Sequence, residues 1–208
     1  MSAGIRISIV LLLMSTPLQA QGFLEQFSYE GVRFAGIGLE AGGVISNSLT
    51  PEPIGGVRID LGLFAPRVRV MLGASYFKGE FDADRIAEFE TRLEELLVDC
   101  ACTLNVGSVT MANVEVFADL QYLLRAVGRV QPYVALGFGA HIRDGDGAAI
   151  DGTFVEDALD TVAAGVGAAV GIDIAILSRL AFLVEVRGGL TSELRTASAR
   201  GGFMLRFP

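Results

Sequence analysis

The sequence has no tryptophan, one histidine and two cysteines in 208 residues, and it is short of base, with 16 Lys and Arg against 24 Asp and Glu. The formal charge of −8, falling to −9 once Arg6 is lost with the leader described below, and the lack of a basic stripe exclude a nucleic-acid binder. The two cysteines, Cys100 and Cys102, have no histidine beside them and make a poor zinc site. Aromatic residues reach only 8%, yet the chain is 51% hydrophobic, has a mean hydropathy of +0.51 and carries 26 glycines. A soluble domain rarely combines that apolarity with so much glycine.

Long apolar runs are also scarce. Ile7–Met14 follows Arg6 and precedes Pro17 and Leu18-Gln19-Ala20, the layout of a secretory signal peptide over 1–20, cleaved before Gln21. Export places Cys100 and Cys102 in an oxidising compartment, where they are candidates for a disulfide, local or between molecules. A Cys-x-Cys bridge closes a tight ring, so pairing of these two neighbours is left open. The other apolar run, Val162–Ile174, falls just short of a spanning helix. Its Gly165, Gly167, Gly171 and Asp173 share one alternating face, which reads as a strand.

Alternation is what the chain has in abundance. In Met111–Leu123, Ala112, Val114, Val116, Ala118, Leu120 and Tyr122 oppose Asn113, Glu115, Phe117, Asp119 and Gln121. That is a period of two over a dozen residues, against about 5–6 residues for a common soluble strand. Similar alternation marks 32–41, 57–64, 67–77, 131–142, 162–174, 181–190 and 199–207, eight strands in all. Their connections alternate long and short, with long loops at 42–53, 79–108 and 143–159 and tight turns at 65–66, 125–129 and 177–179. Residues 82–98 break the pattern, with Ile86, Phe89, Leu93 and Leu96 at helical spacing among acids, an amphipathic helix expected to pack over the barrel rim.

An even strand count with short turns on one side and long loops on the other is the plan of a bacterial outer-membrane barrel. The fold class expected is all-β: an eight-stranded antiparallel up-and-down transmembrane β-barrel with one loop helix, spanning the domain 21–208. The face carrying Glu40, Arg58, Asp60, Arg67, Arg69, Glu115, Asp119, Asp173, Glu185, Arg187, Arg200 and Arg206 must point inward, since each Arg would cost about 2–4 kcal/mol in lipid at the midplane. There the two signs can pair as an interior charge network, and glycines on the same face leave room for long side chains. Phe34, Met71, Phe77, Phe117 and Met204 share that inward face by register, more as packing than as a ligand pocket.

On these residues, from Tyr29 to a last strand ending in Phe207, the chain resembles the eight-stranded outer-membrane barrel superfamily that includes outer-membrane proteins A and W. The terminal Phe207, followed by Pro208, is similar to the aromatic signal read by the barrel-assembly machinery, which the resemblance implies as a partner during biogenesis. Bacterial outer-membrane lipids are the surroundings expected. A structural or surface-interaction role follows, with partners met through loops 42–53, 79–108 and 143–159. The alternative, implied by the likeness to outer-membrane protein W, is passage or binding of small apolar molecules.

An enzyme is not expected. A Ser-His-acid lipid hydrolase would need a serine near His141, where position 143 holds Arg143 and the one inward strand serine near the outer end is Ser75. No cofactor or metal is expected either. Asp144, Asp146, Asp151, Glu156 and Asp157 lack the later ligands of a calcium loop and read as a solvated acidic loop.

Overall fold

The computed structural model describes residues 31–96, 107–147, 161–192 and 194–208. Segment 1–20, Cys100 and Cys102 lie outside the described residues. In chain order come β1 (Val32–Ser46), β2 (Glu52–Ala65), β3 (Val68–Glu80), α1 (Ala83–Leu96), β4 (Thr110–Leu123), β5 (Val130–Asp146), β6 (Thr161–Ala175), β7 (Leu180–Thr191) and β8 (Arg195–Arg206). Each strand pairs antiparallel with the next, and β8 returns to β1 from Gly36↔Arg206 to Ser46↔Thr196, closing an eight-stranded up-and-down barrel. Closure leaves no sheet edge, so the strands' backbone groups bond to one another rather than to solvent. The apolar run at 162–174 lies in β6, and no helix among the described residues is long and apolar enough to cross a membrane.

The alternation of sequence becomes an alternation of surroundings. Leu39, Leu136, Phe138, Val166 and Val186 stand on the outer wall with more than half of their surface exposed, while Arg58, Asp119 and Glu185 are each 1% exposed inside. A water-soluble barrel would place these two sets the other way round. An apolar wall around a polar lumen is stable only where the outer solvent is hydrocarbon.

Strand ends differ from the sequence expectation in an instructive way. The strands run 12 to 17 residues, beyond the roughly 9–11 that cross a bilayer. Residues 42–46, read as loop for their glycines, continue β1, and β2 starts at Glu52. Gly42 is there for proximity: a Cβ would stand 2.0 Å from the Ala199 carbonyl oxygen of β8. The 79–108 loop likewise gives up Gly79–Glu80, and the 143–159 loop gives up 143–146, because Glu80↔Thr110 and Thr110↔Asp146 remain paired. The connection before β8 is short, 192–194.

Two inward assignments fail. Phe34 lies outside and stacks on Phe207 at 5.1 Å, because a register shift between Val32 and Gly36 turns the start of β1 over. Arg67 is exposed in the two-residue turn Pro66–Arg67, at φ 66°, one step before β3 begins.

α1 occupies 83–96 of the expected 82–98. Asp82 caps it: its carboxylate accepts from the Asp84 N–H at 3.3 Å, and its carbonyl accepts from the N–H groups of Arg85 and Ile86. Glu88 pairs with Arg85 at 3.2 Å and Arg92 at 2.5 Å. The helix makes no extensive contact with any strand, so it does not cap the barrel as expected. The outer mouth is closed instead by a buried apolar cluster of Val44, Leu49, Ile54, Phe77, Met111 and Leu194. Leu49 and Leu194 come from the two short outer connections, and Leu49 bridges to Phe81.

Candidate functional site

Among the described residues, chemistry is concentrated in the lumen beneath that cluster. Alternation delivers a polar side chain from every strand to the same narrow interior, and the cost of burying charge there is offset only by pairing. Of the 16 basic residues in the sequence only Lys78 is a lysine. The rest are arginine, whose planar fork meets a carboxylate with two N–H groups at once.

Glu185 of β7 is the hub. Arg58 of β2 donates to both its oxygens, at 2.8 and 2.6 Å; the Tyr133 hydroxyl donates at 2.9 Å and Arg187 Nε at 3.1 Å. Arg187 continues to Asp119 of β4, and Arg58 continues through Nε to Glu40 of β1. Glu40 receives Arg200 of β8 at 2.9 Å, and Arg200 reaches Glu115 of β4 at 3.5 Å. Charges thus alternate in sign along Asp119, Arg187, Glu185, Arg58, Glu40, Arg200 and Glu115, leaving β4 and returning to it across the lumen. The Phe117 ring lies beside two of these cations, 4.4 Å from the Arg187 guanidinium and 5.7 Å from that of Arg58.

A second group sits nearer the short turns. Asp173 receives Arg69 at 2.8 Å and Arg206 at 2.7 Å; Asp60 is 3.6 Å from Arg69, and Gln121 accepts from Arg69 at 2.9 and 2.5 Å. Met71, Ala181, Leu183 and Met204 pack as an apolar cluster in the interior.

Glycines are seats for particular side chains. A Cβ on Gly137 would stand 2.0 Å from Asp119 Oδ1; on Gly73, 2.3 Å from the Phe117 ring; on Gly171, 2.5 Å from the Tyr133 hydroxyl.

Eleven of the twelve charged residues assigned to the interior from the sequence lie in these two groups; Arg67, in its turn, does not. Sequence reasoning missed Arg143, assigned to a loop, which is buried on β5 and donates to Thr191 Oγ1 at 2.5 Å. The sequence carries no signal for it, since the apolar alternation of β5 stops at Ile142 and Asp144 and Asp146 follow on the outward face. Counting Arg143, the described interior holds six arginines and six carboxylates, a neutral set.

Near the outer end Ser75 donates to Glu115 at 3.0 Å, and His141 stands 3.8 Å from Glu115 and 3.3 Å from Asn113. The carboxylate lies between serine and histidine, an order opposite to that of a nucleophile activated by a histidine base. Among the described residues, no three of His, Cys, Asp and Glu gather closely enough to hold a metal ion.

The sequence matches no protein-family model and no curated protein. Solved structures do match. Neisserial surface protein A aligns over 86% of this chain and 100% of its own, with 12% identity and a TM-score of 0.60. The Ail attachment invasion locus protein of Yersinia pestis covers 86% and 99%, with 12% identity and a TM-score of 0.49. The N-terminal barrel domain of Pseudomonas aeruginosa OprF covers 83% and 97%, with 15% identity and a TM-score of 0.39. The first of these carries the comparison, at the level of fold. With its sequential antiparallel closure, apolar outer wall and charged lumen, the chain has the fold of the eight-stranded outer-membrane β-barrel superfamily.

Proposed function

We propose that this chain is a non-conducting wall of the bacterial outer membrane that holds an acidic outer rim toward surface partners. Segment 1–20 exports it, the barrel-assembly machinery inserts it through the strand ending at Phe207, and membrane lipids bear on the apolar wall. The observation that carries the reading is the chain of paired charges that crosses the lumen from Asp119 to Glu115 beneath an apolar lid. A permeating ion would have to break buried pairs such as Arg58–Glu185, and nothing in a neutral set favours either sign of ion. The rim reading rests on strands that outgrow the wall: past Tyr76 and Ile142, β3 and β5 present Lys78, Glu80, Asp144 and Asp146 to solvent.

The alternative, passage of small apolar molecules, draws on an apolar groove of about 550 Å³ in the outer wall, lined by Leu136, Val166, Ala168, Gly188 and Leu190. Conductance of the purified protein in planar bilayers separates the two. A silent bilayer with inserted, folded protein supports the closed wall. Discrete openings blocked by a small apolar compound would replace it with the passage reading.

A further inference from the structure

The chain's acidity is unevenly placed. At the short-turn end every connection carries arginine: Arg67 between β2 and β3, Arg125 and Arg129 between β4 and β5, and Arg179 between β6 and β7, with Arg33 at the entry to β1. All five are exposed, and no ion pair joins them to another described residue. Among the described residues this end has no acidic side chain outside the lumen. The opposite end exposes Glu80, Asp82, Asp84, Glu88, Asp144 and Asp146. An acidic protein therefore wears a basic ring at one rim.

The ring is held in place by the sheet. The carbonyls of Arg67, Arg129 and Arg179 accept from the N–H groups of Leu123, Ala175 and Arg206, at 2.7, 2.8 and 2.7 Å, each bond tying a turn to the neighbouring strand. Between the arginines this rim exposes Leu63 at the end of β2 and Leu124, Val127, Ile176 and Leu177 in the turns, with Val127 73% and Leu177 65% open. Turns washed by water on all sides have no use for such residues. Turns lying where acyl chains meet headgroups bury them, while the guanidinium groups reach outward to the headgroup level.

Resting on the membrane-spanning reading above, we infer that the short-turn rim is a binding girdle for the phosphates of anionic phospholipid headgroups in the leaflet it contacts. Arginine forks suit a phosphodiester bidentately, and the net negative charge of the lipid selects it over a zwitterionic neighbour. A soluble polyanion would be served by the arginines but not by the apolar residues interleaved with them. The girdle also gives the barrel a fixed height, with the basic rim drawn to an anionic surface and the acidic rim away from it.

The test is native mass spectrometry of protein extracted from the membranes of an expressing bacterium and loaded with phosphatidylglycerol or phosphatidylcholine. Gel mobility without and with heating scores the folded barrel independently, so loss of the girdle and loss of the barrel are told apart. The wild-type protein should retain phosphatidylglycerol over phosphatidylcholine by about five-fold for each engaged arginine. The variant R33Q/R67Q/R125Q/R129Q/R179Q should fall to near equality, while the five corresponding Arg→Lys changes keep a preference and K78Q/R195Q at the far rim leaves it unchanged. Equal retention of both lipids by the folded wild type would overturn the inference. So would a preference untouched by the five glutamines, or one that a soluble acidic polysaccharide reproduces without lipid.

Discussion

Glu185→Gln is the substitution to which the interior is most exposed. The carboxylate is 1% accessible and accepts four hydrogen bonds: two from Arg58, one from Arg187 and one from Tyr133. Glutamine keeps the volume, removes the charge and turns one acceptor oxygen into a donor facing a guanidinium. Arg187 retains Asp119 and Arg58 retains Glu40, but both cations lose their shared counter-charge. Breaking a buried pair in this way costs about 3–5 kcal/mol. With no tryptophan in the chain, unfolding in lipid vesicles is followed by circular dichroism and by the gel shift of the folded barrel. The double change Arg58→Met with Glu185→Leu should lose less than the sum of its parts, with a coupling of about 0.5–3 kcal/mol. Glu88→Gln, which breaks only exposed pairs on α1, should move stability by under about 0.5 kcal/mol. A Glu185→Gln protein as stable as wild type would refute the reasoning that the network is the barrel's core.

Gly137→Ala should cost about 1–3 kcal/mol by pushing Asp119 off Arg187, whereas Gly55→Ala, whose Cβ would have nothing nearer than 3.9 Å, should be tolerated; matched unfolding curves compare them. Val166→Arg on the outer wall should lose about 2–4 kcal/mol in vesicles of normal thickness, and the loss should shrink in thinner bilayers. Replacing 82–107 by a short turn should leave the heat-modifiable folded band and its unfolding midpoint almost unchanged, since α1 has no extensive contact with the strands. A large loss of stability there would show that the helix braces the barrel.

The wall of this protein is legible in its sequence because lipid imposes one requirement along each spanning strand: every second side chain must be apolar. Val114, Val116, Ala118 and Leu120 obey it without exception. The strand ends are not legible because that requirement stops at the edge of the hydrocarbon while hydrogen bonding does not. Glu80 and Asp144 face outward like the valines below them, yet they stand in water and read as loop. Phe34 was misplaced because the register of β1 against β2 shifts between Val32 and Gly36, and nothing in its own neighbourhood marks the shift. Which residues enter the lumen follows from parity. Which of them meet does not, since Arg58 and Glu185 lie 127 positions apart and face each other only after the barrel closes. The helix was legible from its spacing, but its placement was not, because packing between an acidic helix and a rim depends on surfaces that the sequence does not bring together.

The central claim is that charge faces inward and the apolar face meets lipid. Spin labels placed one at a time along β4, in a background with Cys100 and Cys102 changed to serine, test it directly in bilayers. Labels at 114, 116, 118 and 120 should relax with oxygen dissolved in the lipid and ignore a water-soluble nickel complex, and labels at 113, 115 and 117 should be shielded from the lipid reagent. The reverse pattern, or water access at 116 and 118, would contradict the account.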